Sequence, residues 1–104
     1  MTAYEISNRL AELGYDGDNS TQTSSMMHLM DACEAFGVPF SIEDHQQCSL
    51  QGHVGWYREG PNRSVWFILL DREEREQHPG ASVTYSLHFD PGYPNGEIIT
   101  RIYR

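Results

Sequence analysis

Apolar residues recur every three or four positions at the start of this chain and every second position towards its end. Ala3, Ile6, Leu10 and Leu13 form one helical stripe. Thr2 and Glu5 stand three apart at its start, the spacing of a capping box in which each side chain accepts from the other residue's backbone N–H. Glu5 and Arg9 are spaced to pair on the opposite side, and Gly14 supplies a left-handed stop. Residues 15–25 are almost wholly polar and read as a loop. Ser24 or Ser25 then caps a second helix running to about Phe36, ended by Gly37 and Pro39. Its inward stripe is Met26, Leu29, Met30, Cys33 and Phe36; Met27, His28, Asp31 and Glu34 face outward.

From Val38 the period changes to two. Val38, Phe40 and Ile42 predict a strand that is an edge or begins just after Pro39, which cannot donate to a ladder. Residues 48–57 are a weaker strand, broken by Gly52 and Gly55. Gly60-Pro61-Asn62 turns into residues 64–71, where 65–70 are apolar without interruption. A half-exposed strand would alternate, so this run predicts a central strand covered on both faces. Residues 72–78 are charged, a short exposed helical turn or a loop, closed by Pro79-Gly80. Val83, Tyr85, Leu87 and Phe89 alternate with polar neighbours, residues 91–96 turn, and Glu97–Tyr103 is the last strand.

Helices first and strands afterwards predict an α+β fold in one domain, residues 1–104. Two N-terminal helices pack on one face of an antiparallel sheet of about five strands. Trp56, Trp66, Tyr93 and Tyr103 bring more aromatic surface than two short helices can cover. That surplus predicts an exposed sheet face or a homodimer formed through it.

Charge changes the picture most. Residues 1–50 hold eight acids against one base, Arg9, whereas residues 51–104 hold seven acids against six arginines. Nearly all of the net −8 therefore belongs to the first half. A one-signed field repels nucleic acid and anionic membrane and attracts basic surfaces. At 12% aromatic the chain is not a disordered acidic tail. The longest apolar run is far short of the roughly 18 residues a membrane span needs. MTAYEISNRL has neither a basic nor an apolar signal region, so a cytoplasmic protein is expected, with Cys33 and Cys48 reduced and mostly buried.

Candidate chemistry is sparse. Asp16-Gly17-Asp18-Asn19-Ser20 opens like a calcium loop, but the positions that need glycine and a bidentate glutamate hold Thr21 and Met27. Asp/Gly-rich turn chemistry accounts for the same residues. His45, Cys48 and His53 suit zinc or a thiol nucleophile, yet their spacing is irregular and unlike paired metal knuckles. No phosphate loop, dinucleotide fingerprint, GxSxG or HExxH occurs. The expectation is a non-enzyme without metal or cofactor.

In size, acidity and lack of a catalytic motif the chain resembles small phage and mobile-element anti-defence proteins, such as anti-CRISPR and antirestriction inhibitors. The resemblance is one of profile, without an aligned segment or a shared motif. It implies an inhibitor that acts by occupancy, blocking the basic, nucleic-acid-binding surface of a partner protein without touching nucleic acid itself. The carboxylates expected to face that partner are Glu5, Glu12, Asp16, Asp18, Asp31 and Glu34. The alternatives are an immunity protein neutralising a toxin, and a small metal- or thiol-dependent enzyme around His45, Cys48 and His53.

Overall fold

Thr2 and Glu5 form the capping box: Thr2 Oγ1 accepts from Glu5 N and a Glu5 carboxylate oxygen accepts from Thr2 N, both at 3.1 Å. They open α1 (Ala3–Glu12), and Gly14 follows it at φ +96°. The computed structural model describes residues 1–15, 19–89 and 97–104. The second helix, α2, is Asn19–Ala35, and a 3-10 turn spans Ile42–Gln47. Five strands follow: β1 (Cys48–Leu50), β2 (Val54–Glu59), β3 (Arg63–Leu69), β4 (Val83–Phe89) and β5 (Glu97–Tyr103). A short exposed helix, α3 (Arg72–Gln77), connects β3 to β4 and is capped by Asp71. The sheet is a fully antiparallel meander in the order β1-β2-β3-β4-β5. The fold is α+β, N-terminal helices packed with a five-stranded antiparallel sheet.

The apolar stripes decide how the layers meet. Leu29, Ala32 and Cys33 of α2 bury against Tyr57, Val65, Phe67, Val83 and Tyr85 of the sheet. Ile6 and Leu10 of α1 form a second cluster with Met26 and Ile42. So α2 lies on β1, β2 and β3, while α1 packs on α2 and the 3-10 turn.

Several local expectations are corrected. The second helix begins at Asn19, several residues before the expected Ser24 or Ser25 cap. One side of the polar stretch is held inward: Thr23 and Ser25 are buried, and Ser25 Oγ donates to the Gly52 carbonyl of the β1–β2 turn at 3.1 Å. His28 leaves the outward stripe and stacks on Phe67, ring centres 5.4 Å apart. Ala3 is exposed. Residues 38–41 form no strand; Val38 and Ile42 are buried from an extended connector and the turn after it. Residues 48–57 instead divide into the hairpin β1–β2 at Gly52, which takes φ +77°. Glu5 does not pair with Arg9, whose guanidinium binds Glu12 and, bidentately, Glu43.

Gly55 is required where it stands. It sits opposite Phe67 in the β2–β3 ladder, and a Cβ there would lie 2.4 Å from Phe67 Cε1 and 2.9 Å from the Ser49 carbonyl. Gly55→Ala is expected to destabilise by about 1–3 kcal/mol through overpacking. The check is a lowered urea midpoint at unchanged slope; an unchanged midpoint would show that the ring moves aside freely.

Candidate functional site

Strand alternation divides the molecule into an acidic helical side and an open sheet side. On the helical side, Met27, Asp31 and Glu34 follow one another along the outer stripe of α2, and all three are exposed. Asp31 and Glu34 line two shallow depressions at once, so they form a ridge between them. The first, about 390 Å³, is floored by Ile6, Met27, Met30, Val38 and Phe40, with Met1 at its side. The second, about 420 Å³, holds Ala35, Tyr85 and Arg104. Burial raises the Tyr85 hydroxyl pKa and Asp31 raises it further, with Arg104 opposing. Neither ridge carboxylate has an ion-pair partner among the described residues.

The six carboxylates expected to act together separate. Asp31 and Glu34 share the ridge. Glu5 is committed to the α1 cap, and the Thr2 N–H holds its carboxyl below the usual range. Glu12 shares Arg9 with Glu43 at the far end of α1, next to the 3-10 turn. Asp16 and Asp18 lie outside the described residues. Sequence reading missed the apolar neighbours of the ridge. Met1 is 63% exposed and Met27 39%. Met27 was legible as an outward apolar residue in the same stripe as Asp31; the contribution of Arg104, seventy residues further on, was not.

The open side carries the outward positions of the sheet: Val54, Trp56 and Arg58 on β2, Ser64, Trp66 and Ile68 on β3, Thr84, Ser86 and His88 on β4, and Ile98, Arg101 and Tyr103 on β5. Trp56 stacks on Trp66 at 4.9 Å, and His88 lies tilted against Trp66 at 5.2 Å. Trp66 Nε1 donates to Ser64 Oγ at 2.8 Å, and Ser86 Oγ hydrogen-bonds His88 Nε2 at 2.8 Å. Among these outward positions there is no carboxylate.

The residues weighed as a thiol or metal site sit on three successive segments. His45 lies in the 3-10 turn with its ring edge on Tyr15, Cys48 opens β1, and His53 is exposed in the β1–β2 turn. Among the described residues no three histidine, cysteine or acidic side chains are grouped to hold a metal ion. Cys33 and Cys48 both contribute to the core under α2. Burial pushes each thiol up to about 12. They are protonated at neutral pH and poor nucleophiles. Iodoacetamide at pH 8 is expected to label the native protein about 100-fold more slowly, or slower still, than the urea-unfolded chain. Rapid native labelling of Cys48 would restore the thiol-enzyme reading.

Among the described residues no helix is long and apolar enough to cross a membrane. No family model, curated protein or solved structure matches the chain.

Proposed function

We propose that the protein acts by occupancy, docking the Asp31/Glu34 ridge of α2 on a basic surface of a partner protein and blocking it. The observation that carries this reading is an exposed carboxylate pair, without an ion-pair partner among the described residues, set beside exposed methionines. Partner arginine or lysine heads would meet the carboxylates while their apolar stems or neighbours enter the methionine-floored depression. Methionine suits this role because its flexible thioether adapts to irregular apolar shapes. Interfaces of this kind draw most of their affinity from a few well-packed anchors and desolvated charges.

A basic surface that can be blocked in this way is typical of nucleic-acid-handling proteins, since phosphate contact needs clustered lysine and arginine. An anti-defence inhibitor of a phage or mobile element fits this mode, and an immunity protein covering a toxin would use the same ridge. The reading needs no metal, cofactor, nucleic acid or membrane, and it places the protein in the cytoplasm, where two buried thiols stay reduced. The enzyme alternative is disfavoured by the dispersal of His45, Cys48 and His53 and by the raised thiol pKa values.

The experiment is affinity capture from the native host with the wild-type protein and with Asp31→Asn/Glu34→Gln as parallel baits. A specific partner with a basic surface, retained by the first and lost by the second, is the expected result. Equal retention by both would remove the ridge from the contact.

A further inference from the structure

We propose that two copies of this chain pair through the open faces of their sheets, forming a helix–sheet–sheet–helix dimer with the acidic ridges outermost. The inference is independent of how the ridge is used.

The uninterrupted apolar run 65–70 calls for cover on both faces, and the described residues supply it on one. Val65 and Phe67 are completely buried beneath α2, whereas Trp66 and Ile68 point to the other side and stay partly exposed. Ile98 is 46% exposed and Tyr103 39% on the same side. His78, stacked on Tyr103 at 3.8 Å, covers a corner of it, and the short side chains Thr84 and Ser86 on the same side are already buried. An apolar sheet face of this kind is what a second sheet buries in a sandwich.

The face is pre-organised for a flat protein surface. The Trp56–Trp66–His88 rings stand against one another, and the Trp66 N–H is satisfied inside the row. Their outward edges are therefore fixed and apolar, and little side-chain freedom remains to be lost on contact. The same stacking leaves few free ring faces for nucleobases, which argues against a single nucleic-acid strand as occupant. Five strands of three to seven residues, at about 4.8 Å between strands and 3.4 Å per residue, give a face of roughly 400–500 Å². Two such faces, with the side chains that stand on them, bury on the order of 1,000–1,500 Å², within reach of a specific interface.

Charge selects the same arrangement. A pair of chains each at −8 must keep carboxylates apart, and the described outward positions of the sheet hold none. The molecule measures 35 × 34 × 22 Å. Sheet-to-sheet pairing separates the two ridges by both molecules' thickness, well beyond a Debye length of about 8 Å. Contact through the helical sides would oppose Asp31 and Glu34 directly. Arg58 and Arg101 are exposed at the margins, on β2 beyond the end of the β1 pairing and on the outermost strand. There they stay solvated or lie over partner rings.

The test is sedimentation velocity over roughly 1–200 µM, a range set by interfaces of this modest size, with tryptophan emission recorded alongside. Wild type should move from one to two 11.9 kDa chains, with tryptophan emission shifting to the blue as the dimer forms. Ile98→Asp, at an exposed position, should keep the monomer's circular dichroism and weaken dimerisation about 30-fold or more. Should that variant misfold, Tyr103→Asp carries the same test. A monomer throughout the range overturns the proposal. So does a dimer that these variants leave intact, which would move the contact to the β5 edge or the helices. Tryptophan quenching by oligo-dT that displaces the dimer would reassign the face to nucleic acid.

Discussion

Phe67→Ala is expected to be the most damaging single truncation in this protein, costing about 3–5 kcal/mol. Phe67 is fully buried on the middle strand of the sheet, between Gly55 on β2 and Tyr85 on β4, with the His28 ring stacked above it. Removing the ring opens a cavity at the junction of three strands and α2. The backbone ladder on both sides fixes its walls, so little collapse is available to relieve it. A domain of this size has roughly 5–15 kcal/mol of stability in total, so the variant should be partly unfolded at physiological temperature. Gly55→Ala supplies an internal control. In the Phe67→Ala background its clash with the ring disappears, and only the approach to the Ser49 carbonyl remains. The double variant should therefore be more stable than the sum of the single losses implies. Urea denaturation of the four proteins measures this. A Phe67→Ala loss below about 1 kcal/mol would contradict the assigned core.

Neutralising the ridge should do the opposite, leaving the fold intact and removing function. Asp31 and Glu34 are exposed and form no ion pair among the described residues. Asp31→Asn and Glu34→Gln should each shift stability by no more than about 0.5 kcal/mol. Binding is different, because a carboxylate desolvated against a partner cation leaves that cation buried and unpaired when it is removed. The cost is about 2 kcal/mol or more each, about 30-fold in affinity. Glu12→Gln should have a smaller effect, since Glu12 is already paired with Arg9, which it shares with Glu43. Calorimetric titration of the captured partner with the three variants separates the ridge from the general acidity of the first half.

Much of the fold was legible because local chemistry and packing agree along most of the chain. The capping box at Thr2 and Glu5, the stop at Gly14, the apolar stripe of α2 and the alternation of β4 each follow from neighbouring residues alone. The misreadings fall where a distant contact overrides a local preference. Residues 19–25 look like a loop until the β1–β2 turn offers the Gly52 carbonyl to Ser25. Val38, Phe40 and Ile42 have strand spacing, yet they alternate because both helices bury an extended connector. Arg9 is spaced to pair with Glu5, but Glu43 arrives from the 3-10 turn and competes. Asp31 and Glu34 were legible as an outward acidic stripe, and both are exposed on α2. The apolar half of the candidate site depends on how α1 lays Met1 beside α2, which no periodicity encodes. The open sheet face was foreshadowed by the unbroken run 65–70, which asks for a second cover that the described residues do not provide.

The central claim is that the ridge binds by charge, and the salt dependence of partner affinity tests it most directly. Affinities of wild type and of Asp31→Asn/Glu34→Gln for the captured partner are to be measured side by side from low to high sodium chloride. Wild-type affinity should fall steeply with salt, and the double variant should bind far more weakly with a much shallower slope. Two proteins with equal affinities and parallel slopes would contradict the account, leaving the acidic half to keep the protein soluble and the open sheet face as the surface that binds.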